Sequence, residues 1–411
     1  MRILFLSGHL PSPQARQAGQ KTSYRICEFL ARRHSVHLLS FATKAELSGF
    51  RREDMSLFAS FDLVPVSNWT RMIGLVTGPN LPLVAVVRHS SVFRRKLKSL
   101  LRKQTFDAVY LDFTGMLQYQ VELANIPVVA AMEVEVMFRR WESRRKHSGN
   151  RLVRAFFGWE ERRTKEWEIE QLKRVDVALV QSSEEKQLLA ELLPGQEVRM
   201  IRPWIELGGN STVPPHTERE QNSLVFWGAM DRIENIDAVS YATESVLPAV
   251  WAQFAHARYY IAGSSPSSGL TRRYAHSRVI VSGFVDKPFE FLATKRVALL
   301  PMRLGAGIKV KVLECMAAGL AVVTTPAGAE GVPGRPGEHY LLGSDARELA
   351  EAVLKLLRLP SYAAEMGRRA RVSVCSNHQF TESLRALEDE ILQRLEHGSN
   401  HSRPAGIEVR A

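Results

Sequence analysis

Short apolar runs bounded by turn residues alternate along this chain with stretches in which apolar positions recur every three or four residues. The first run, Ile3-Leu4-Phe5-Leu6, ends at Ser7 and gives way to a turn-rich loop, GHLPSPQARQAGQ. An unbroken run of that length reads as a strand buried on both faces, as in a parallel sheet. Helical spacing predicts a helix over about 22–33, and a second strand follows over 36–41. Strand, glycine-bearing loop, helix and strand in that order open a parallel α/β sheet. Further strands are predicted at 61–66, 108–111, 127–130 and 176–181, and a helix at about 183–193.

The same pattern restarts after Pro214-Pro215. Strands are predicted at 223–226, 259–262, 279–281, 297–300 and 321–325, with helices at 237–250, 310–318 and 346–357. The first of these helices should end near Pro248, which cannot continue a helical ladder. The chain therefore reads as two successive doubly wound units: a domain over 1–201, a polar, Pro-rich linker over 202–222, and a second domain over 223–374. A helix over 375–396 is expected to return to the first domain, and 397–411 is polar and expected to fray. A length of 411 residues suits two domains of roughly 150–200 each. There is no internal repeat. In open parallel sheets ligands bind beyond the carboxyl ends of the strands, so the default site is a cleft between the two domains.

Composition changes this picture in one respect. The apolar share of 45% and charged share of 24% are ordinary for a globular protein, but the formal net charge is +12. Residues 1–103 hold 17 basic and 5 acidic side chains, and the remainder holds 38 of each. The surplus belongs to the first quarter of the chain, and an anionic partner is expected there. Within it, Arg94-Arg95-Lys96-Leu97-Lys98-Ser99-Leu100-Leu101-Arg102-Lys103 carries six basic residues in ten, with Phe93, Leu97, Leu100 and Leu101 at helical spacing. That is a short basic amphipathic helix suited to an anionic membrane surface, or a solvated helix with its apolar side in the core. A stretch at about 139–174 mixes Arg with Glu and is expected to form helices with paired charges. Cys27, Cys315 and Cys375 lie far apart without metal-ligand spacing, which fits a reducing compartment. The opening apolar run is too short for a signal-peptide core, and no stretch nears the roughly 20 apolar residues of a membrane span. A cytoplasmic protein, peripherally associated with the inner face of the membrane, is expected.

Residues 301–331, PMRLGAGIKVKVLECMAAGLAVVTTPAGAEG, carry the most chemistry. A strand ends at Leu300, a loop with Gly305 and Gly307 follows, and a helix begins near Ile308. Such a loop lets backbone approach a ligand, and the helix start offers unpaired amides to an anion. Lys309 and Lys311 sit at that same end, where the helix dipole makes cations least favourable. An anionic ligand such as a nucleotide diphosphate resolves the conflict. Glu314 lies one turn further on, within reach of hydroxyls on that ligand.

The segment resembles the donor-binding region of family 4 glycosyltransferases, retaining enzymes of the two-domain GT-B fold. Their L-E-A-M-A-x-G-x-P-V-V hallmark reads here Leu313-Glu314-Cys315-Met316-Ala317-Ala318-Gly319-Leu320-Ala321-Val322-Val323, behind a G-x-G-x-K-x-K loop. Gly328-Ala329-Glu330-Gly331 and Gly337-Glu338-His339 are similar to the family's later donor-side loops. Phe226-Trp227-Gly228-Ala229-Met230 with Asn235 and Asp237, and the stretches 261–266 and 281–285, resemble its second-domain strands. Pro11-x-Pro13 with Gly19 resembles the first-domain loop beside the donor diphosphate. Two departures stand out: Ala306 replaces a frequent glutamate eight positions before Glu314, and Met132 stands where relatives often carry a histidine. Glu133 and Glu135 remain there as cleft-facing polar candidates or as partners of Arg139 and Arg140.

The resemblance implies two doubly wound Rossmann-like domains facing each other across a cleft. It implies Lys309 and Lys311 as catalytic cations on the leaving diphosphate, since charge aimed at a developing anion stabilises the transition state. Gly19, Gly228, Gly305, Gly307, Glu314, Gly328, Ala329 and Glu330 are implied as donor-binding, with Glu314 on the ribose. A nucleotide sugar is the implied co-substrate, with no cofactor and no metal. A lipid-linked or cell-envelope glycan, as in exopolysaccharide or lipopolysaccharide assembly, is a coherent acceptor. A GT-B nucleotide-sugar epimerase and a degenerate, transferase-like binding subunit remain open. Nucleic acid is not expected, because aromatics are not interleaved with the basic run.

Overall fold

The computed structural model describes the chain except residues 16, 68–71, 73, 75, 133–134, 206, 208–211, 275–277, 378–379 and 398–411. The chain divides into two compact units, residues 1–204 with 380–411 and residues 205–379.

Unit 1 is built on seven strands: β1 (Arg2–Ser7), β2 (Ser35–Thr43), β3 (Ser60–Val66), β4 (Ala108–Asp112), β5 (Val128–Met132), β6 (Val177–Val180) and β7 (Val198–Met200). They form one parallel sheet in the order β3-β2-β1-β4-β5-β6-β7. Its principal helices are α1 (Ala18–Ala31), α2 (Ser91–Lys103), α3 (Met137–His147), α4 (Arg151–Leu172) and α5 (Ser183–Leu192). Both faces of the sheet are covered, as the unbroken apolar strands require. One core layer contains Leu4, Leu6, Phe93 and Leu97, and the other contains Ile3, Phe5, Ile26 and Leu30.

α2 forms over the expected basic run, opened by Ser90, whose hydroxyl accepts from the Phe93 amide at 3.2 Å. Its apolar side is not available to a membrane. Phe93 and Leu97 are completely buried, Phe93 stacks on Phe41 with ring centroids 4.4 Å apart, and Leu100 and Leu101 pack against the same core. The polar side, with Arg95, Lys98, Arg102 and Lys103, faces solvent, together with Val92 in the first turn.

Unit 2 holds a six-stranded parallel sheet: β8 (Ser223–Trp227), β9 (Arg258–Ala262), β10 (Val279–Gly283), β11 (Val297–Leu300), β12 (Ala321–Thr324) and β13 (Leu341–Leu342), ordered β10-β9-β8-β11-β12-β13. Its main helices are α6 (Ile233–Tyr241), α7 (Val310–Ala317), α8 (Ala346–Arg358) and α9 (Pro360–Asn377). The helix expected to end near Pro248 instead runs past it. α6 passes through a π-helical turn, Ala242–Val246, into a further α-helical segment, Leu247–Gln253. Pro248 occupies the first turn of that segment, directly after the π-helical turn.

The final helix, α10 (Phe380–His397), belongs to unit 1. Phe380, Leu384, Leu387 and Ile391 recur on one face and are buried with Ile26 and Leu30 of α1. Glu388 binds His34 at 2.6 Å and Arg33 at 3.1 Å, and Glu390 binds Arg199 at 2.6 Å. The expected break at 375 falls inside α9, whose face of Met366, Ala370 and Val374 stays in the core of unit 2. Among the described residues no helix is long and apolar enough to cross a membrane.

Candidate functional site

In each sheet the first strand of the unit has its successors on both sides, β1 between β2 and β4, β8 between β9 and β11. The strand order reverses there, so the loops after those strands diverge and leave a crevice at their carboxyl ends.

In unit 2 the crevice is floored by the loops after β8, β11 and β12. After β11 the chain turns through Gly305 (φ +101°) and Gly307 (φ +66°), a left-handed path that a side chain resists, and enters α7 with Lys309 at its N-cap. The buried Lys309 ammonium donates to the Gly307 carbonyl at 2.6 Å and lies 4.0 Å from Glu330. Lys311, in the first turn, donates to Asn235 Oδ1 and sits over the Phe226 ring at 5.8 Å. Part of its surface meets solvent, yet burial, with Lys309 and Arg232 nearby, pushes its ammonium down to about 7 against the pull of Glu234 and Glu314. The first turn of α7 contains no acidic residue. Two cations therefore crowd a helix end that already carries positive partial charge.

The loop after β8 meets these groups directly. A Cβ on Gly228 would fall 2.8 Å from Asn235 Nδ2 and 3.3 Å from Lys311 Cε. Asn235 is buried and bridges, donating to the Ala229 carbonyl at 2.7 Å while accepting from Lys311. Glu314, one turn into α7, accepts from the Trp227 indole N–H at 2.7 Å. Beside them Arg303 grips Asp237 with two bonds, 2.6 and 3.1 Å, and stacks on Tyr241 at 4.2 Å. The loop after β12 is fastened to the loop after β11 through Thr325. Its hydroxyl donates to the Met302 carbonyl and accepts from the Gly328 amide, and the Ala329 amide caps the turn at 3.0 Å from the Thr325 carbonyl.

Gly228, Gly305, Gly307, Lys309, Lys311, Glu314, Gly328, Ala329 and Glu330 thus lie on three adjoining loops of unit 2 and the start of α7. Ala306 is buried there. Trp227, Asn235 and the Arg303–Asp237 pair complete the crevice. Sequence reading had Trp227, Asn235 and Asp237 only as parts of a motif, without roles, and did not single out Arg303.

Unit 1 treats its expected residues differently. Gly19 lies on α1 beneath Phe113, whose ring would stand 3.2 Å from a Cβ there. Glu135 is paired with Arg140. Glu133 lies outside the described residues. Met132 ends β5 and is buried in the core. In their place the structure presents Gly8, His9, Glu46 and Arg88 beyond the carboxyl ends of β1 and β2. Arg88, largely buried, donates from Nε to the Gly8 carbonyl at 2.5 Å and reaches the His9 ring at 3.0 Å. His9 lies 3.4 Å from Glu46. Burial works to raise the Glu46 carboxyl, but hydrogen bonds from His9 and Thr43 hold it down to about 2. Phe113, directly after β4, takes a left-handed φ of +74° and meets His9 edge-on at 5.0 Å. Beneath it Asp112 accepts from Ser7 at 2.7 Å, and burial pushes its carboxyl up to about 7 against the Ser7 and Ser23 hydroxyls.

Residues 221–359 match the family described as Glycosyl transferases group 1. No curated protein sequence matches the chain. Solved structures similar to it include a sucrose-phosphate synthase from Thermosynechococcus elongatus, at TM-score 0.70 and 16% identity over 97% of this chain and 100% of that one. HepE of Anabaena in complex with UDP has TM-score 0.66 and 13% identity over 96% and 100% of the two chains. A TarM mutant of S. aureus in complex with Fondaparinux, alpha-GlcNAc-glycerol and UDP has TM-score 0.65 and 11% identity over 95% and 99%. The chain has the GT-B fold, and most of its second unit matches the group 1 glycosyl transferase family.

Proposed function

We propose that this chain is a retaining, metal-independent glycosyltransferase of family 4 type that moves a sugar from a nucleotide sugar to a lipid-linked or cell-envelope glycan. The observation that carries the reading is the pair Lys309 and Lys311 at the start of α7, behind the Gly305–Gly307 turn and at the switch point of the second sheet. A diphosphate placed there receives helix-end amides and two ammonium groups, so charge developing on the leaving group is met without a metal ion. Glu314 and the Trp227 indole stand beside that position, suited to a ribose and a base. No side chain is needed as a covalent nucleophile: a departing phosphate oxygen takes the acceptor hydroxyl's proton on the face where the new bond forms. In unit 1, the His9–Arg88–Glu46 cluster offers donors and an acceptor of the kind that bind sugar hydroxyls.

Similar structures were determined with UDP, with UDP-glucose, and with UDP and glucose. UDP-sugars are therefore the first donors to test. Binding raises apparent stability by mass action, so a panel of UDP-, GDP- and other nucleotide sugars is compared by melting temperature. One nucleotide class is expected to raise it in the wild-type chain and not in Lys311→Ala. No shift across the panel, or equal shifts in both proteins, overturns the assignment. Binding without turnover on any lipid-linked acceptor would make the chain a binding subunit.

A further inference from the structure

The second basic stretch forms a helix pair that leaves one end exposed. α3 and α4 pack on each other as a hairpin, and over residues 151–159 of α4 no side chain is buried. Four large apolar side chains fall in that short span: Leu152 (82% exposed), Trp159 (54%), Phe156 (44%) and Val153 (40%). Leu152, Phe156 and Trp159 stand four and three residues apart, so they line one stripe about 10 Å long. The rings of Phe156 and Trp159 pack 6.1 Å apart, and Arg163 extends the stripe by stacking on Trp159 at 4.7 Å. Exposed apolar residues scattered singly need no explanation; a stripe at the exposed end of a hairpin does.

The side of α4 next to the stripe is basic. An open cavity of about 730 Å³ runs along it, lined by Arg145, Arg151, Arg154, Arg162 and Lys165, with Glu161 the one carboxylate. From residue 143 to residue 159 the sequence has five Lys or Arg and no Asp or Glu. Arg145 and Lys146 are held by Glu161 and Glu142, at 2.6 and 2.5 Å. Arg151 and Arg154, by contrast, have no acidic partner among the described residues, and they occupy the first turn of α4, where no carboxylate offsets the helix dipole.

An aliphatic and aromatic stripe flanked by unpaired arginines is what the boundary between phosphate headgroups and acyl chains accommodates. The apolar side enters by roughly 5–10 Å, the aromatic rings sit at headgroup level, and the cations stay on the phosphates. A nucleic acid would use the cations but offers nothing to Leu152 and Val153. We propose that the tip of the α3–α4 hairpin docks this protein on an anionic lipid bilayer. The surface stands on the hairpin alone; only its use, to meet a membrane-held acceptor, rests on the transferase reading.

The test is flotation of the full chain with vesicles of phosphatidylcholine alone and of phosphatidylcholine with phosphatidylglycerol in a seven-to-three ratio. Recovery is expected only with the second. Phe156→Ser with Trp159→Ser, and separately Arg151→Glu with Arg154→Glu, should each weaken partitioning at least tenfold, since each cation near an anionic surface is worth roughly fivefold. Melting temperature and the shift given by the nucleotide sugar should be unchanged in both, which separates loss of docking from loss of the donor site. Reversing Arg95, Lys98, Arg102 and Lys103 on α2 should have the smaller effect. A fluorescence blue shift on the anionic vesicles, abolished by Trp159→Phe, gives a second readout in a fully folded protein. Equal recovery with both vesicle types, no recovery with either, unchanged binding by the hairpin variants, or a wild-type dimer dissolved by Trp159→Ser would each overturn the proposal.

Discussion

Lys311 is held by Asn235 in an environment that lowers its proton affinity, while a bound diphosphate would restore it. Lys311→Ala should reduce transfer by about 10²–10³-fold, the usual cost of removing one charge-stabilising contact, with the fold intact by circular dichroism. Because the ammonium has been pushed down to about 7, the free protein loses that charge as pH rises through neutrality. kcat/KM should therefore fall above pH 7, and Lys311→Arg should move that limb beyond the measurable range; a profile unchanged by the substitution would exclude Lys311 as its source. Trp227→Phe removes the indole N–H that donates to Glu314 and should weaken donor binding about tenfold, read by calorimetry. The lysines and Glu314 were legible because they share one short motif with its glycines. Trp227 and Glu314 are 87 positions apart, and Arg88 and Gly8 are 80 apart, so only the folded chain reveals those partnerships. Glu135 was ambiguous for the same reason, and the structure pairs it with Arg140.

At the scale of elements, parallel strands announce themselves because burial on both faces leaves unbroken apolar runs. The three-residue β7 and two-residue β13 escaped notice, being too short to carry any pattern. α2 shows the limit of amphipathicity: its stripe was legible, but whether core or membrane covers it depends on Phe41 and Tyr119, which come from elsewhere. Behind α7, α9 approaches so closely that a Cβ on Gly367 would lie 2.3 Å from the Gly319 carbonyl. Gly367→Ala should cost about 1–3 kcal/mol in urea unfolding, because backbone cannot step aside as a side chain can. Between β1 and β4, Asp112 gives a pH signature. Its carboxyl is raised from 3.8 to about 7, so the stability it lends the fold is present below pH 3.8 and lost progressively up to about pH 7. Asp112→Asn should gain stability relative to wild type over that window, and a constant difference in melting temperature would refute the shift.

Taken as one molecule, the chain carries nine of its twelve net positive charges in unit 1, which also bears the exposed hairpin, so the net charge of +12 describes one unit more than the other. The sequence-level expectation placed the membrane contact on α2 because composition is densest in cations there. The structure buries the α2 stripe in the core, and exposed apolar groups coincide with cations on α4 instead, which is where the docking proposal stands. The return of the last helix to unit 1 has its own energetic mark. Glu388 is almost fully buried against His34 and Arg33, and Glu388→Ala should destabilise unit 1 by about 1–3 kcal/mol while leaving the transition of unit 2 in place.

That same helix sets an order of events on the ribosome. Unit 2 is one contiguous segment, 205–379, so all of it has emerged while unit 1 still lacks α10. Until Phe380, Leu384, Leu387 and Ile391 arrive, the face of α1 with Ile26 and Leu30 has no cover. The first unit to be translated is then the last to be completed, and a released chain truncated before residue 380 should hold a protease-resistant second unit beside a first unit still open to cleavage.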